Sequence, residues 1–255
     1  MTEEEAGIRL EGVCKSFDDL RVLDGFDLEV EEAETVAVIG RSGSGKSVLL
    51  KHVAGLLRPD EGEVWVDGVR VSDASDDLME RLRPRIGYVF QFAGLFDSMS
   101  VGENIRMALR KRGVAPGEIE GWVERSLELV DLSGQADRAP AELSGGMRKR
   151  AGLARAVAGR PEYLLYDEPT TGLDPVTTSL IGSLIIRLKE QIGATSIMVT
   201  HDLESAFRVA DRVAMLYRGR ARAVGTPAEI RASGDPVVRA FVEGRVDLWP
   251  DEDEE

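Results

Sequence analysis

The chain has 255 residues and a formal charge of −14, with 46 acidic against 32 basic side chains. That length supports one large domain, or one domain with a subdomain. That charge disfavours nonspecific binding to nucleic acid or to an anionic bilayer, and one cysteine excludes an internal disulfide.

Taken in order, residues 8–30 predict two strands, the second alternating Phe26, Leu28 and Val30 with Asp27 and Glu29 as one dry and one wet face. Cys14 reads as a small apolar filler suited to a reducing compartment. Phe17 lies in a loop-like segment, where it can stack on a purine or fill the core. The apolar run Val36, Ala37, Val38, Ile39 predicts a buried strand. Val48, Leu49, Leu50, Val53 and Leu56 predict a helix beginning eight residues on from Gly40. A turn at 59–62 leads to two short strands around 64–66 and 69–71, joined by the hairpin pair Asp67-Gly68. A polar helix follows over 76–82, then a buried strand over 86–90 with Gln91 at its end.

From Phe92 to about Pro140 the pattern is helical. Ser100 and Glu103 form a capping box, and a second helix carries Ile119, Trp122, Val123, Leu127 and Val130. A helix rich in Arg and Ala runs from about 147 to 158, and a short strand over 163–166 ends in Asp167-Glu168. Asp174 and Pro175 open a long helix, with Val176, Leu180, Leu184, Leu188 and Ile192 as its expected core stripe, Ile181 and Ile185 beside them, and Gly193 as its stop. A strand over 195–200 delivers His201-Asp202, and two more strands and two capped helices follow, the last opened by Asp235-Pro236. Alternating strands and helices predict an α/β domain with a largely parallel sheet, interrupted by a helical insertion. No stretch approaches the roughly 20 apolar residues that cross a bilayer, and a signal-peptide pattern is absent, which predicts a soluble protein whose membrane role comes through a partner.

Chemistry concentrates in three places. Gly40, Arg41, Ser42, Gly43, Ser44, Gly45, Lys46 and Ser47 read G-x-x-x-x-G-K-S between a strand and a helix. Glycines there let successive N–H groups point at one anion, and the helix N-terminus adds its own N–H groups and dipole. Lys46 can reach the β- and γ-phosphates and Ser47 can ligate Mg²⁺, so the loop predicts nucleoside triphosphate binding. Asp167 and Glu168 end a buried strand, where open α/β sheets place their ligands. Asp167 suits the metal and Glu168 an attacking water. His201 ends another strand and suits a γ-phosphate oxygen, whereas His52 reads as structural.

These motifs, in this order, resemble the ATP-binding subunit of ABC transporters over about residues 8–225. The match comprises Phe17 as the adenine-stacking aromatic, the loop 40–47, Gln91, the signature Leu143-Ser144-Gly145-Gly146-Met147, Asp167-Glu168, Gly172-Leu173-Asp174 as the D-loop, and His201. The resemblance implies a P-loop NTPase (RecA-like) core with an antiparallel β subdomain and an inserted α-helical subdomain at about 92–158, all within an ATP-binding domain over 1–245, followed by an acidic tail at 246–255. It implies ATP and Mg²⁺ as ligands. Residues 40–48, Val48 included, bind ATP; Ser47, Gln91 and Asp167 hold the metal. Glu168 is the general base, His201 the switch, and Gln91 the link to a transmembrane permease that docks near Phe92 to Val101. It further implies a homodimer in which Ser144, Gly145 and Gly146 close on the ATP of the other copy, peripheral on the cytoplasmic face of the inner membrane.

The chain departs from the commoner glutamines after the signature by carrying Met147, Arg148, Lys149 and Arg150. Met at that position is similar to the ATPases of MCE-type, Mla-like phospholipid transport systems. So are the segment Gly94-Leu95-Phe96-Asp97-Ser98-Met99 and the pattern from Asp235-Pro236 to Gly244. That likeness implies lipid transport and a lipid-binding MCE protein as a further partner. The alternatives are the ATPase of an amino-acid or other small-solute importer, and a non-transport regulator of a membrane partner.

Overall fold

The computed structural model describes residues 7–245. The expected tail at 246–255 lies outside them. Along the chain run β1 (Gly7–Phe17), β2 (Leu20–Glu31), β3 (Thr35–Ile39), α1 (Lys46–Val53), β4 (Glu61–Val66), β5 (Val69–Arg70), α2 (Asp76–Leu82), β6 (Ile86–Val89), α3 (Val101–Lys111) and α4 (Ile119–Leu129). After these come α5 (Gly145–Val157), β7 (Tyr163–Asp167), α6 (Pro175–Ile192), β8 (Thr195–Thr200), α7 (Leu203–Val209), β9 (Arg212–Tyr217), β10 (Arg220–Gly225), α8 (Pro227–Arg231) and α9 (Pro236–Glu243). The described residues divide into two compact units, residues 7–72 with 198–245, and residues 73–197.

The first unit contains an antiparallel sheet in the order β2-β1-β4-β5. Phe26, Leu28 and Val30 are buried and Asp27 and Glu29 exposed, as alternation requires. Asp67 and Gly68 both have positive φ (54° and 68°), the geometry of a type I′ hairpin. β3 pairs in parallel with β9, Val36 opposite Arg212 and Ile39 opposite Met215, and β10 returns antiparallel to β9. Every residue of β3 is buried, which explains its uninterrupted apolar run. Cys14 is buried but is not a plain apolar filler: its sulfur accepts the Gly25 N–H at 3.1 Å and the Arg21 guanidinium at 3.2 Å. His52 is buried on α1, and its Nδ1–H donates to the Val48 carbonyl at 2.7 Å, the structural role expected of it.

In the second unit β6 and β7 pair in parallel, Ile86 opposite Tyr163 and Val89 opposite Tyr166. Between residues 92 and 158 the chain forms α3, α4 and α5 and no strand. The Ser100–Glu103 capping box is formed in both directions at 3.2 and 2.7 Å, a cap worth about 1 kcal/mol. α6 is capped by Asp174 and ended by Gly193 at φ 69°. Its expected core stripe is wrong at the N-terminal end, where Val176 is 80% and Leu180 41% exposed. Steps of four residues advance about 40° around a helix each time, so a long series of them spirals off any fixed face. The buried face alternates threes and fours, through Leu184 and Leu188 of that stripe and the Ile181 and Ile185 expected beside it.

Candidate nucleotide site and signature helix

The first unit presents the glycine loop. β3 delivers Gly40, and α1 begins at Lys46. Gly40 must lack a side chain because a Cβ there would sit 2.6 Å from the Leu216 carbonyl oxygen. Gly45 caps α1 at φ 101°, and its Cβ would lie 2.6 Å from Val22 Cγ1. Arg41, Ser42 and Gly43 are exposed, while Lys46 is buried with its ammonium donating to the carbonyls of Gly40 and Arg41, both at 2.9 Å. Ser44 Oγ is buried without a hydrogen-bond partner. A glycine-rich turn with positive φ at Gly43 and Gly45, a buried ammonium and an orphaned hydroxyl fit a polyphosphate. Ser47 and Val48 follow on the first turn of α1, half-buried. Phe17 ends β1 rather than lying in a loop, and it is 42% exposed, which excludes the core alternative and leaves ring surface available for stacking. His201 follows β8 and is exposed, and the next residue, Asp202, caps α7 by accepting the Ser205 N–H at 3.3 Å.

The second unit presents the acidic strand end and the signature. Asp167, the last residue of β7, is buried, and its Oδ2 accepts the Tyr88 hydroxyl at 3.1 Å. Burial and the Asp167 charge raise the Tyr88 pKa, so the phenol stays a donor. Glu168 is buried too, with φ 48°, left-handed for a residue that is not glycine. Its Oε2 accepts the Thr171 hydroxyl at 3.1 Å. Gln91 is half-buried two residues beyond β6. The donor set proposed for Mg²⁺ (Ser47, Gln91, Asp167) is all hard oxygen, the chemistry that ion takes. Among the described residues there is no cluster of three or more His, Cys, Asp or Glu side chains.

Ser144 caps α5, accepting the Met147 N–H at 3.3 Å, and both Ser144 and Gly145 are exposed. Gly146 packs on α6, since a Cβ there would meet Thr177 Cγ2 at 2.7 Å. Thr177 in turn donates through Oγ1 to Asp174 Oδ2 at 2.5 Å and through its N–H to Oδ1 at 3.0 Å. The signature and D-loop residues therefore share one corner of the unit.

The family model described as ABC transporter matches residues 23–171, and that is more than half of the chain. The chain belongs to the ABC transporter family. Among its relatives is the probable ribonucleotide transport ATP-binding protein mkl of Mycobacterium leprae, 40% identical over 93% of this chain and 69% of its own. The sulfate/thiosulfate import ATP-binding protein CysA of Thermosynechococcus vestitus is 41% identical over 92% of this chain and 69% of its own. The post-hydrolysis dimer of the ATP-binding cassette MJ0796 with ADP and Pi superposes with a TM-score of 0.78 at 31% identity, covering 86% of this chain and 98% of that one. CbiO1 of Clostridium perfringens, part of an ABC transporter complex, gives 0.81 at 28%, covering 96% and 97%. The fold is therefore the ABC ATPase cassette, an α/β P-loop NTPase. This ABC family ATPase binds and hydrolyses ATP as the ATP-binding subunit of a transporter. No helix among the described residues is long and apolar enough to cross a membrane.

The residues after the signature, unusual in the sequence, all serve backbone carbonyls. Arg148 donates to Leu143 O at 3.1 Å, and Arg150 donates to Val130 O at 3.1 Å and Asp131 O at 2.8 Å, beyond the C-terminal end of α4. Lys149 donates to Gln91 O at 2.5 Å and Glu168 O at 3.3 Å. What Tyr88 and Lys149 touch was not legible in the sequence, because both act on partners remote in the chain.

Proposed function

We propose that this ATPase drives phospholipid transport through a separate permease, working as a homodimer peripheral to the cytoplasmic face of the inner membrane. The loop 40–48 holds the triphosphate, Phe17 stacks on the adenine, and Ser47, Gln91 and Asp167 would hold Mg²⁺. When bound, that ion would neutralise charge on the phosphate oxygens. Glu168 takes the proton of the attacking water, and His201 donates to a γ-phosphate oxygen. Ser144, Gly145 and Gly146 close on the nucleotide of the other copy, with Asp174 beside them. The observation that carries this reading is the exposed N-terminus of α5, where Ser144 and Gly145 are open to solvent and Gly146 packs on Thr177 beside the Asp174 cap.

The lipid substrate, and an MCE protein in the complex, are supported by Met147, the 94–99 segment and the Asp235-capped α9. A second reading, a small-solute importer, is favoured by relatives that act in methionine import and in sulfate/thiosulfate import. Affinity purification from solubilised membranes, with identification of bound lipid, separates them. Co-purified phospholipid and an MCE partner support the first; ATPase stimulation by methionine or sulfate alone in the reconstituted complex overturns it. Independently, Glu168→Gln is expected to lower turnover by about a hundredfold or more while retaining ATP and trapping a dimer. Parental turnover in that variant would remove Glu168 as the base.

A further inference from the structure

Three residues on one side of α5 grip the segment that follows β6. Lys149 is buried and its ammonium reaches the carbonyls of Gln91 and Glu168. Three residues on, Gly152 lies so close to the segment that a Cβ would come 2.8 Å from Ala93 O and 3.0 Å from Ala93 Cα. Three further, the buried Arg155 donates to Gly94 O and, at 3.4 Å, to Ala93 O, with its guanidinium 5.7 Å from the Phe90 ring centroid. The gripped backbone is unusual. Ala93, Gly94 and Glu168 all have left-handed φ, at 62°, 60° and 48°. For Ala93 and Glu168 such a conformation persists only where the surroundings over-determine it. A carbonyl held in place fixes ψ of its residue, and with φ it fixes where the side chain leaves the main chain.

We propose that Lys149, Gly152 and Arg155 form a latch through which the signature helix sets residues 91–94 and Glu168, with Lys149 as a positioning residue for hydrolysis. One ammonium aligns the two residues assigned to water and metal. The same helix face anchors the start of the segment assigned to the permease. A shift of α5 when its N-terminus engages a phosphate therefore changes both at once. A lysine suits this role because its three N–H donors serve two carbonyls that face it from different elements. Burial lowers its pKa, offset by the neighbouring carboxylates, and the charge on the ammonium strengthens both bonds.

The inference rests on the assignment of Glu168 and Gln91 to hydrolysis, so Glu168→Gln is measured beside Lys149→Met, Lys149→Gln and Lys149→Arg in the full-length protein. Lys149→Met is expected to lower kcat by roughly tenfold to a hundredfold, because charge-assisted bonds are lost. ATP Kd should stay within about twofold in all three, since the triphosphate is held by another loop. Lys149→Arg, which keeps the donors, should recover kcat to within about threefold of the parent. A merely structural lysine would lower the melting temperature and the fraction of active protein while leaving kcat per bound nucleotide unchanged. Should Lys149→Met fail to fold, Lys149→Gln decides, with an expected kcat loss of about threefold or more. Unchanged kcat in the folded variants, with Glu168→Gln inactive, overturns the latch. A kcat loss at Lys149 with Glu168→Gln fully active instead overturns the base assignment and leaves the latch acting through Gln91.

Discussion

Gly45→Ala offers the sharpest test of the glycine loop, because its cost can be worked from two contacts and one angle. The new Cβ would lie 2.6 Å from Val22 Cγ1 and 3.2 Å from Val22 O, at φ 101°. Carbon atoms in ordinary contact are about 3.5–4.0 Å apart, so the overlap with Cγ1 is about 1 Å. Overpacking of this kind costs about 1–3 kcal/mol, and a left-handed φ in a non-glycine residue about as much again. The loop can escape the sum, about 2–6 kcal/mol, only by moving, which spoils the cradle; ATP affinity should fall about thirtyfold or more. Calorimetric titration with ATP, together with thermal unfolding, measures both destinations of that energy. Adding Val22→Ala removes Cγ1 and should recover the packing part, about 1–3 kcal/mol, while the backbone strain remains. As a control, Gly113→Ala also sits at positive φ (74°) but meets no atom within 4 Å, and it should leave ATP binding unchanged. If Gly45→Ala binds ATP and melts like the parent, or if Val22→Ala restores nothing, the reasoning fails.

Tyr88→Phe removes the hydroxyl from Asp167 and leaves the ring beside Phe90 (centroids 4.4 Å apart). Stability should drop by about 1–2 kcal/mol, and Mg²⁺ should bind about tenfold more weakly by titration of the nucleotide-loaded protein; an unchanged metal isotherm would separate Tyr88 from the metal. His52 is buried neutral, with burial holding its pKa below 6.5. The unfolded chain takes up a proton at His52 before the folded one does, so this contribution is complete above pH 6.5 and is lost as pH falls toward the folded pKa. Urea midpoints measured from about pH 7.5 down to about pH 5 should show that slope, and His52→Gln should flatten it. Phe92 and Phe96, 85% and 49% exposed, should release the subunit from permease-containing membranes when both become Glu, with ATP affinity unchanged; undiminished co-sedimentation would count against docking there.

Much of this protein is written in local patterns. The glycine loop, the caps at Ser100, Asp174 and Asp235, the Asp67-Gly68 hairpin and the buried runs at 36–39 and 163–166 each depend on residues a few positions apart, where turn geometry and periodicity act directly. The chemistry of ATP was legible for the same reason, since a phosphate cradle is made from consecutive N–H groups. What only the tertiary structure decided lies across longer separations. Lys149 meets Gln91 from 58 residues away and Tyr88 meets Asp167 from 79, and neither residue type announces its partner. The buried face of α6 was misjudged at Val176 and Leu180 because periodicity shows that a helix has an apolar face, whereas what packs against it decides where that face ends. Cys14 looked apolar until an N–H and a guanidinium were found on its sulfur. Sequence determined which groups could do chemistry; packing determined which backbone carbonyls those groups hold in place, because a buried cation takes whatever acceptors the fold brings within reach.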